Sequence, residues 1–123
     1  MRVLVIDDDV DVADMLAGYF RRVRGAAAVS VYTVSNALER LRGGSWDVVV
    51  SDLELPDGRG TALLAAARDL LGPGVKLVLS TGCEPDVAAA ACADCGADAL
   101  LLKPYGLSEL QVLCDELVGR EDG

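Results

Sequence analysis

Apolar residues along this chain fall into two patterns. Continuous runs occur at Val3-Leu4-Val5-Ile6, Val48-Val49-Val50 and Ala99 to Leu102, while Val75 to Leu79 is broken only by Lys76 and Val29-Ser30-Val31-Tyr32 only by Ser30. Runs of this length, rich in β-branched side chains, predict strands. Between them the apolar residues recur at helical spacing. Val10 to about Arg24 carries Val12, Leu16, Tyr19, Phe20 and Val23 on that period. Ser35 is placed to cap a second helix with Ala37, Leu38 and Leu41, and Gly43-Gly44 stops it. Pro56-Asp57-Gly58 is a turn, and a third helix runs from Thr61 to Leu71 before Gly72-Pro73-Gly74. Pro85 opens a fourth helix that ends near Cys95, with Gly96 at its C-terminal cap. Ser108 and Gln111 have capping-box spacing before a last helix striped by Leu110, Leu113, Cys114 and Leu117.

Strand and helix therefore alternate five times. Strands that are apolar throughout, rather than at every second residue, are buried on both faces, which predicts a parallel sheet with helices on both sides. Right-handed crossovers restrict the topology, and 2-1-3-4-5 is the common solution for five strands. The fold class is α/β, a doubly wound (βα)5 sandwich. Its binding site is expected beyond the carboxyl ends of the strands.

The polar residues that follow the strands fit this expectation. The first strand ends in Asp7-Asp8-Asp9, the third in Asp52, the fourth in Ser80-Thr81-Gly82 and the fifth in Lys103-Pro104. In the order 2-1-3-4-5 these four strands are contiguous, so carboxylates, a hydroxyl and an ammonium gather at one rim. Crowded carboxylates repel unless a cation intervenes. Mg²⁺ (or Mn²⁺) is suited to the place: Mg²⁺ prefers oxygen ligands and often pairs with phosphate. Asp52 is the candidate nucleophile, since carboxylates form acyl phosphates. Lys103 and the Thr81 hydroxyl are placed to meet oxygens of a phosphoryl group. Each residue has a blander reading: Asp9 and Asp11 suit a helix N-terminus, Thr81 a cap, Lys103 a solvated charge. For Asp9 and Asp11 the bland reading is preferred. For Asp7, Asp8, Asp52, Thr81 and Lys103, convergence on one rim favours a site.

Composition narrows the chemistry. The 123 residues, 52% hydrophobic and 25% charged, have the size of one domain, residues 1–123. A net charge of −9 repels nucleic acid phosphates. Arg21, Arg22 and Arg24, the one basic cluster, sit where a helix should end and complement its dipole. There is no histidine, so Ser-His-Asp and Cys-His catalysis and HExxH metal sites are excluded, and any phosphohistidine must belong to a partner. Cys92 and Cys95 form a C-x-x-C late in a helix, away from the N-terminus that would stabilise a thiolate, so small buried thiols are expected. No apolar run reaches membrane-spanning length and the start does not read as a signal peptide, so a cytoplasmic location is expected.

Taken in order, Val5-Ile6-Asp7-Asp8-Asp9, Ser51-Asp52-Leu53-Glu54-Leu55-Pro56-Asp57-Gly58, Leu79-Ser80-Thr81-Gly82 and Gly96-Ala97-Asp98-Ala99 leading to Lys103-Pro104-Tyr105 resemble bacterial response-regulator receiver domains along the whole chain. The resemblance implies a flavodoxin-like fold with Asp52 as phosphoacceptor. It implies a metal held by Asp7, Asp8 and Asp52, with Asp8 the more direct ligand of the acidic pair and the Glu54 backbone carbonyl as the remaining protein ligand. It makes Thr81 the switch hydroxyl, Lys103 the phosphate-contacting lysine and Lys103–Pro104 a cis peptide. The phosphodonor would be a sensor histidine kinase or a histidine phosphotransfer protein, and the domain would not turn over an external substrate. Leu100 stands where many members carry Tyr or Phe, which implies altered coupling from Thr81. Glu54 and Cys83 stand at positions that shape access of the hydrolytic water, which implies an unusual dephosphorylation rate. The chain closes on Gly119-Arg120-Glu121-Asp122-Gly123, so output is expected through a downstream protein partner or an output domain missing here. The fourth helix, fifth strand and fifth helix are the expected contact face, and the face for a homodimer. The alternatives are a degenerate receiver that binds a partner unphosphorylated, an aspartyl-phosphate phosphatase, and a nucleotide- or flavin-binding module. The first would usually lack residues this chain keeps, the second lacks a cap insertion, and the third lacks a Gly-rich loop after the first strand.

Overall fold

The computed structural model describes residues 1–118, and the alternation of strand and helix follows the apolar runs. The elements are β1 (Arg2–Ile6), α1 (Val10–Arg24), β2 (Ala27–Val31), α2 (Val34–Arg42), β3 (Val48–Asp52), β4 (Glu54–Leu55), β5 (Gly58–Arg59), α3 (Gly60–Leu71), β6 (Lys76–Thr81), α4 (Pro85–Cys95), β7 (Ala99–Leu102) and α5 (Leu107–Val118). β4 and β5 form a separate antiparallel hairpin where the sequence reading has only a turn. The remaining five strands make one parallel sheet in the order β2-β1-β3-β6-β7, which is the predicted 2-1-3-4-5.

Each strand sends alternate residues to opposite faces. Val3, Val5, Val50 and Val78 meet Leu16 and Phe20 of α1 and Leu110, Leu113 and Cys114 of α5. Leu4, Ile6, Val49, Leu77 and Leu79 meet Leu41 of α2 and Leu63 and Leu64 of α3. A fully buried side chain such as Phe20 or Leu64 contributes roughly 1.5–3 kcal/mol. α4 is held less firmly: its one buried residue is Ala88, with Ala91, Cys92 and Cys95 half-buried against the second cluster. The cysteines are all free, and only Cys114 is fully buried, so the expected burial holds in half measure for Cys92 and Cys95.

The helix ends show local chemistry at work. Asp9 caps α1 by accepting from Val12 N–H at 3.3 Å, and Gly25 closes it in the left-handed conformation. The Arg21 guanidinium, in the last turn, donates to the Ala28 carbonyl at 3.0 and 2.7 Å. Ala27 pairs inward with Met1, so the alternate residue Ala28 faces the open edge of the sheet and Arg21 covers it. Two caps differ from the sequence reading. Thr33, not Ser35, caps α2, its Oγ1 accepting from Asn36 N–H at 3.1 Å. At α5, Glu109 reaches back to Gly106 N–H at 2.6 Å, two residues ahead of the Ser108–Gln111 spacing. Among the described residues no helix is long and apolar enough to cross a membrane. The tail expected to close the chain, Gly119 to Gly123, lies outside the described residues.

Candidate functional site

The sheet delivers its polar tips to one place. Asp52 is the last residue of β3 and lies in register with Ser80, and Thr81 ends β6 in register with Leu102. Asp7 follows β1 and Lys103 follows β7. The Lys103 ammonium lies 2.7 Å from Asp7 Oδ2 and 3.4 Å from Asp52 Oδ2. Asp7 is buried, and its other oxygen accepts from Asp9 N–H at 2.9 Å. Asp52 Oδ1 accepts from Leu53 N–H at 2.9 Å. Asp8 is exposed, and one carboxylate oxygen each from Asp7, Asp8 and Asp52 lie within 4.8 Å of one another. The Thr81 hydroxyl is buried and accepts from Cys83 N–H at 3.1 Å. A cleft of about 430 Å³ opens over this set, lined by Asp8, Asp52, Glu54, Thr81, Cys83 and Lys103. A larger hollow of about 540 Å³ lies away from it, beside Arg2, Arg40 and Trp46, but carries no comparable chemistry.

Charge at the site is unbalanced. Burial and then the neighbouring Asp7 carboxylate push the Asp52 carboxyl above the usual carboxylate range, and Lys103 only partly offsets them. Burial tends to lower the Lys103 ammonium, yet the hydrogen bond to Asp7 and the charge of Asp52 outweigh it and raise it. Three carboxyl groups thus face one ammonium. This donor set, all oxygen and short of positive charge, fits a hard divalent cation.

The β4–β5 hairpin forms the rim beyond Asp52. Gly60 N–H donates to the Leu53 carbonyl at 2.7 Å, and Glu54 pairs with Arg59 and Leu55 with Gly58. Bonded and non-bonded pairs alternate along an antiparallel ladder, so Glu54–Arg59 is the non-bonded pair. The Glu54 carbonyl is therefore left without a ladder partner. Gly60 permits the close approach of α3 to β3: a Cβ there would overlap the Asp52 carbonyl oxygen. At the tip of the hairpin, Asp57 accepts from Val34 N–H at 2.8 Å and from Ser35 N–H at 3.1 Å.

The family model of the response regulator receiver domain matches residues 3–115. The chain belongs to that family. The receiver is 34% identical over 119 residues to the transcriptional activator protein PfeR of Pseudomonas aeruginosa, covering 97% of this chain and 38% of PfeR. It is 33% identical over 122 residues to the transcriptional regulatory protein BasR of Escherichia coli, covering 99% of this chain and 54% of BasR. The chain thus spans about half the length, or less, of these curated relatives. A two-component response regulator from Clostridium difficile superposes with a TM-score of 0.87 at 23% identity, covering 100% of this chain and 99% of that one, a likeness of fold. A response regulator from Burkholderia pseudomallei, solved with a phosphorylated aspartic acid, calcium ion and citrate, superposes at 0.82 with 28% identity over 94% of this chain and 65% of that one. A receiver is a signalling module rather than an enzyme of external substrates.

In this receiver Asp7, Asp8, Asp52, Thr81 and Lys103 share one rim, with Glu54 at its edge. The Lys103–Pro104 peptide is cis, as the resemblance implies. Three residues escape sequence reasoning. Gly60 and Asp57 act through backbone 8 and 23 residues away or thereabouts in sequence, where no local pattern signals them. Tyr105 places a buried hydroxyl near the acids that has no hydrogen-bond partner among the described residues, and burial raises its ionisation above the ordinary tyrosine range.

Proposed function

We propose that residues 1–123 act as one phosphorylation-switched receiver, with Asp52 accepting a phosphoryl group from a phosphohistidine on a sensor kinase or phosphotransfer protein. The observation that carries this reading is the Asp52 carboxylate, which lines an open cleft within 4.8 Å of Asp7 and Asp8 oxygens and within 3.4 Å of the Lys103 ammonium. An Asp52 oxygen attacks phosphorus, the O–P bond forms, and the P–N bond to the donor imidazole breaks with its electron pair leaving on nitrogen. The Leu53 N–H holds Asp52 Oδ1, which leaves Oδ2 as the attacking atom. Asp7, Asp8, Asp52 and the Glu54 carbonyl would hold Mg²⁺, Asp8 the more directly of the acidic pair, since Asp7 also pairs with Lys103. When bound, the ion neutralises charge on the phosphoryl oxygens and so lowers the barrier.

Lys103 is the cation left to contact a phosphoryl oxygen, by moving off Asp7 or by sharing its three protons. Thr81 turns its hydroxyl from Cys83 N–H to another oxygen. That turn frees the start of the β6–α4 loop and is the step by which phosphorylation reaches α4, β7 and α5. α4 is the weakly anchored element there, and Leu100 stands beside it in place of an aromatic ring. A downstream protein, an output domain or a second copy is the proposed reader of that face.

Incubation with acetyl phosphate and Mg²⁺, read by intact mass, tests the reading. An adduct on the parent and none on Asp52→Asn is expected. An equal adduct on both moves the acceptor elsewhere and ends this proposal.

A further inference from the structure

We infer that Asp57 is a positioning residue for the metal site: its carboxylate ties the β4–β5 hairpin to the start of α2 and so fixes where the Glu54 carbonyl points. This inference rests on the functional reading above, which makes that carbonyl a ligand. The first N–H groups of a helix have no intrahelical acceptor. In α2 the Asn36 N–H goes to Thr33, within the helix's own cap. The Val34 and Ser35 N–H groups go instead to Asp57 Oδ1 and Oδ2, at 2.8 and 3.1 Å, across 23 and 22 residues of sequence. Both oxygens of one exposed carboxylate are engaged, and these bonds hold the carboxyl below its ordinary ionisation range.

What the tether controls follows from how the hairpin is held elsewhere. Leu53, at its base, is fixed on both sides: its N–H donates to the Ser80 carbonyl at 3.0 Å and its carbonyl accepts from Gly60. Leu55 is buried in the cluster shared with Val31 and Ala37. The Glu54 carbonyl shares its peptide plane with the N–H of Leu55, which the bonded Leu55–Gly58 pair holds, so that carbonyl moves only with the hairpin as a body and its place depends on what holds the hairpin's tip. Asp57 is that hold. Its neighbour Gly58 seats the hairpin on α2, since a Cβ there would lie 3.1 Å from Val34 Cγ2. The two-residue loop Pro56–Asp57 is short enough that a shift at Asp57 passes directly to the Leu55–Gly58 and Glu54–Arg59 pairs.

The test separates tethering from mere helix stability. Mg²⁺ affinity is measured by titration calorimetry on the full chain for the parent, Asp57→Ala, Asp57→Asn and Thr33→Ala. Thr33→Ala weakens the same helix end without touching the hairpin. Asp57→Ala is expected to raise the Mg²⁺ Kd roughly tenfold, the lower end for groups that orient a ligand. Asp57→Asn, which keeps one acceptor oxygen, is expected to fall between, and it carries the test if the alanine variant does not fold. Thr33→Ala is expected to keep the parent Kd despite a lower thermal midpoint. With acetyl phosphate, the Asp57 variants should reach the parent rate at saturating Mg²⁺, the shift lying in the metal concentration required. An unchanged Kd in both Asp57 variants, or an equal loss in Thr33→Ala, overturns the inference alone. A parent that binds no Mg²⁺ overturns the functional reading with it.

Discussion

Lys103 and Asp7, 96 residues apart in sequence, form a 2.7 Å ion pair beneath the cleft, and the same ammonium stands 3.4 Å from Asp52. Lys103 thus does two things, neutralising a buried carboxylate and facing the candidate acceptor. Removing it separates the two. Lys103→Met leaves Asp7, 5% exposed at its side chain, without its counter-ion. A loss of about 1–3 kcal/mol is expected in urea denaturation, below the full cost for a buried pair because Lys103 is partly solvated. Mg²⁺ should bind at least as tightly, since a competing positive charge is gone, while adduct formation from acetyl phosphate slows.

Asp52 gives a pH signature. Its folded carboxyl holds a proton more firmly than the unfolded one, because burial and Asp7 disfavour the anion. Between the ordinary carboxylate value and the raised folded one, the folded state therefore binds more protons than the unfolded. Stability must then fall as pH rises through that window. With a chelator present, parent stability should decline across it, and Asp52→Asn should decline less and exceed the parent at neutral pH. A steeper decline in the variant would contradict the assignment.

Cation binding should show as thermal stabilisation. A ligand that binds only the folded state raises the midpoint with its concentration. Mg²⁺ is expected to do so for the parent in the low-millimolar range or below, by differential scanning fluorimetry. Asp8→Asn should lose most of that shift while its metal-free midpoint rises slightly, since one of three mutually repelling carboxylates is removed.

Gly60→Ala tests the packing of α3 on β3. The added methyl meets the Asp52 carbonyl, which is backbone and cannot swing aside, and comes within 2.9 Å of Ser51 Oγ. Overpacking of this kind costs about 1–3 kcal/mol. Because the displaced atom belongs to Asp52 itself, acetyl phosphate reactivity should fall by more than the stability loss explains. Denaturation and intact mass on the same preparation read both effects.

Much of the architecture is written locally. Apolar runs such as Val48-Val49-Val50 define buried strands, the doubly buried pattern implies a parallel sheet, and Asp9, Pro85, Gly25 and Gly96 mark helix ends within a turn of themselves. Strand order then places Asp7, Asp52, Thr81 and Lys103 on contiguous strands, so their rim is legible in the sequence. Local signals failed where an equally good local candidate competed, as with Ser35 beside Thr33 or Ser108 beside Gly106 and Glu109.

Other features were decided by tertiary structure alone. The β4–β5 hairpin is too short for a periodic pattern, and it exists because α2 and the end of β3 hold its two sides. Gly60 looks like any loop glycine until α3 is laid against β3. Lys103 belongs to the rim by strand order, but its closer pairing with Asp7 than with Asp52 is set by the packed sheet. Sequence determines which segments bury which faces, because burial follows from composition and period. It does not determine which distant backbone N–H meets which carboxylate, because that depends on the angles at which whole elements pack.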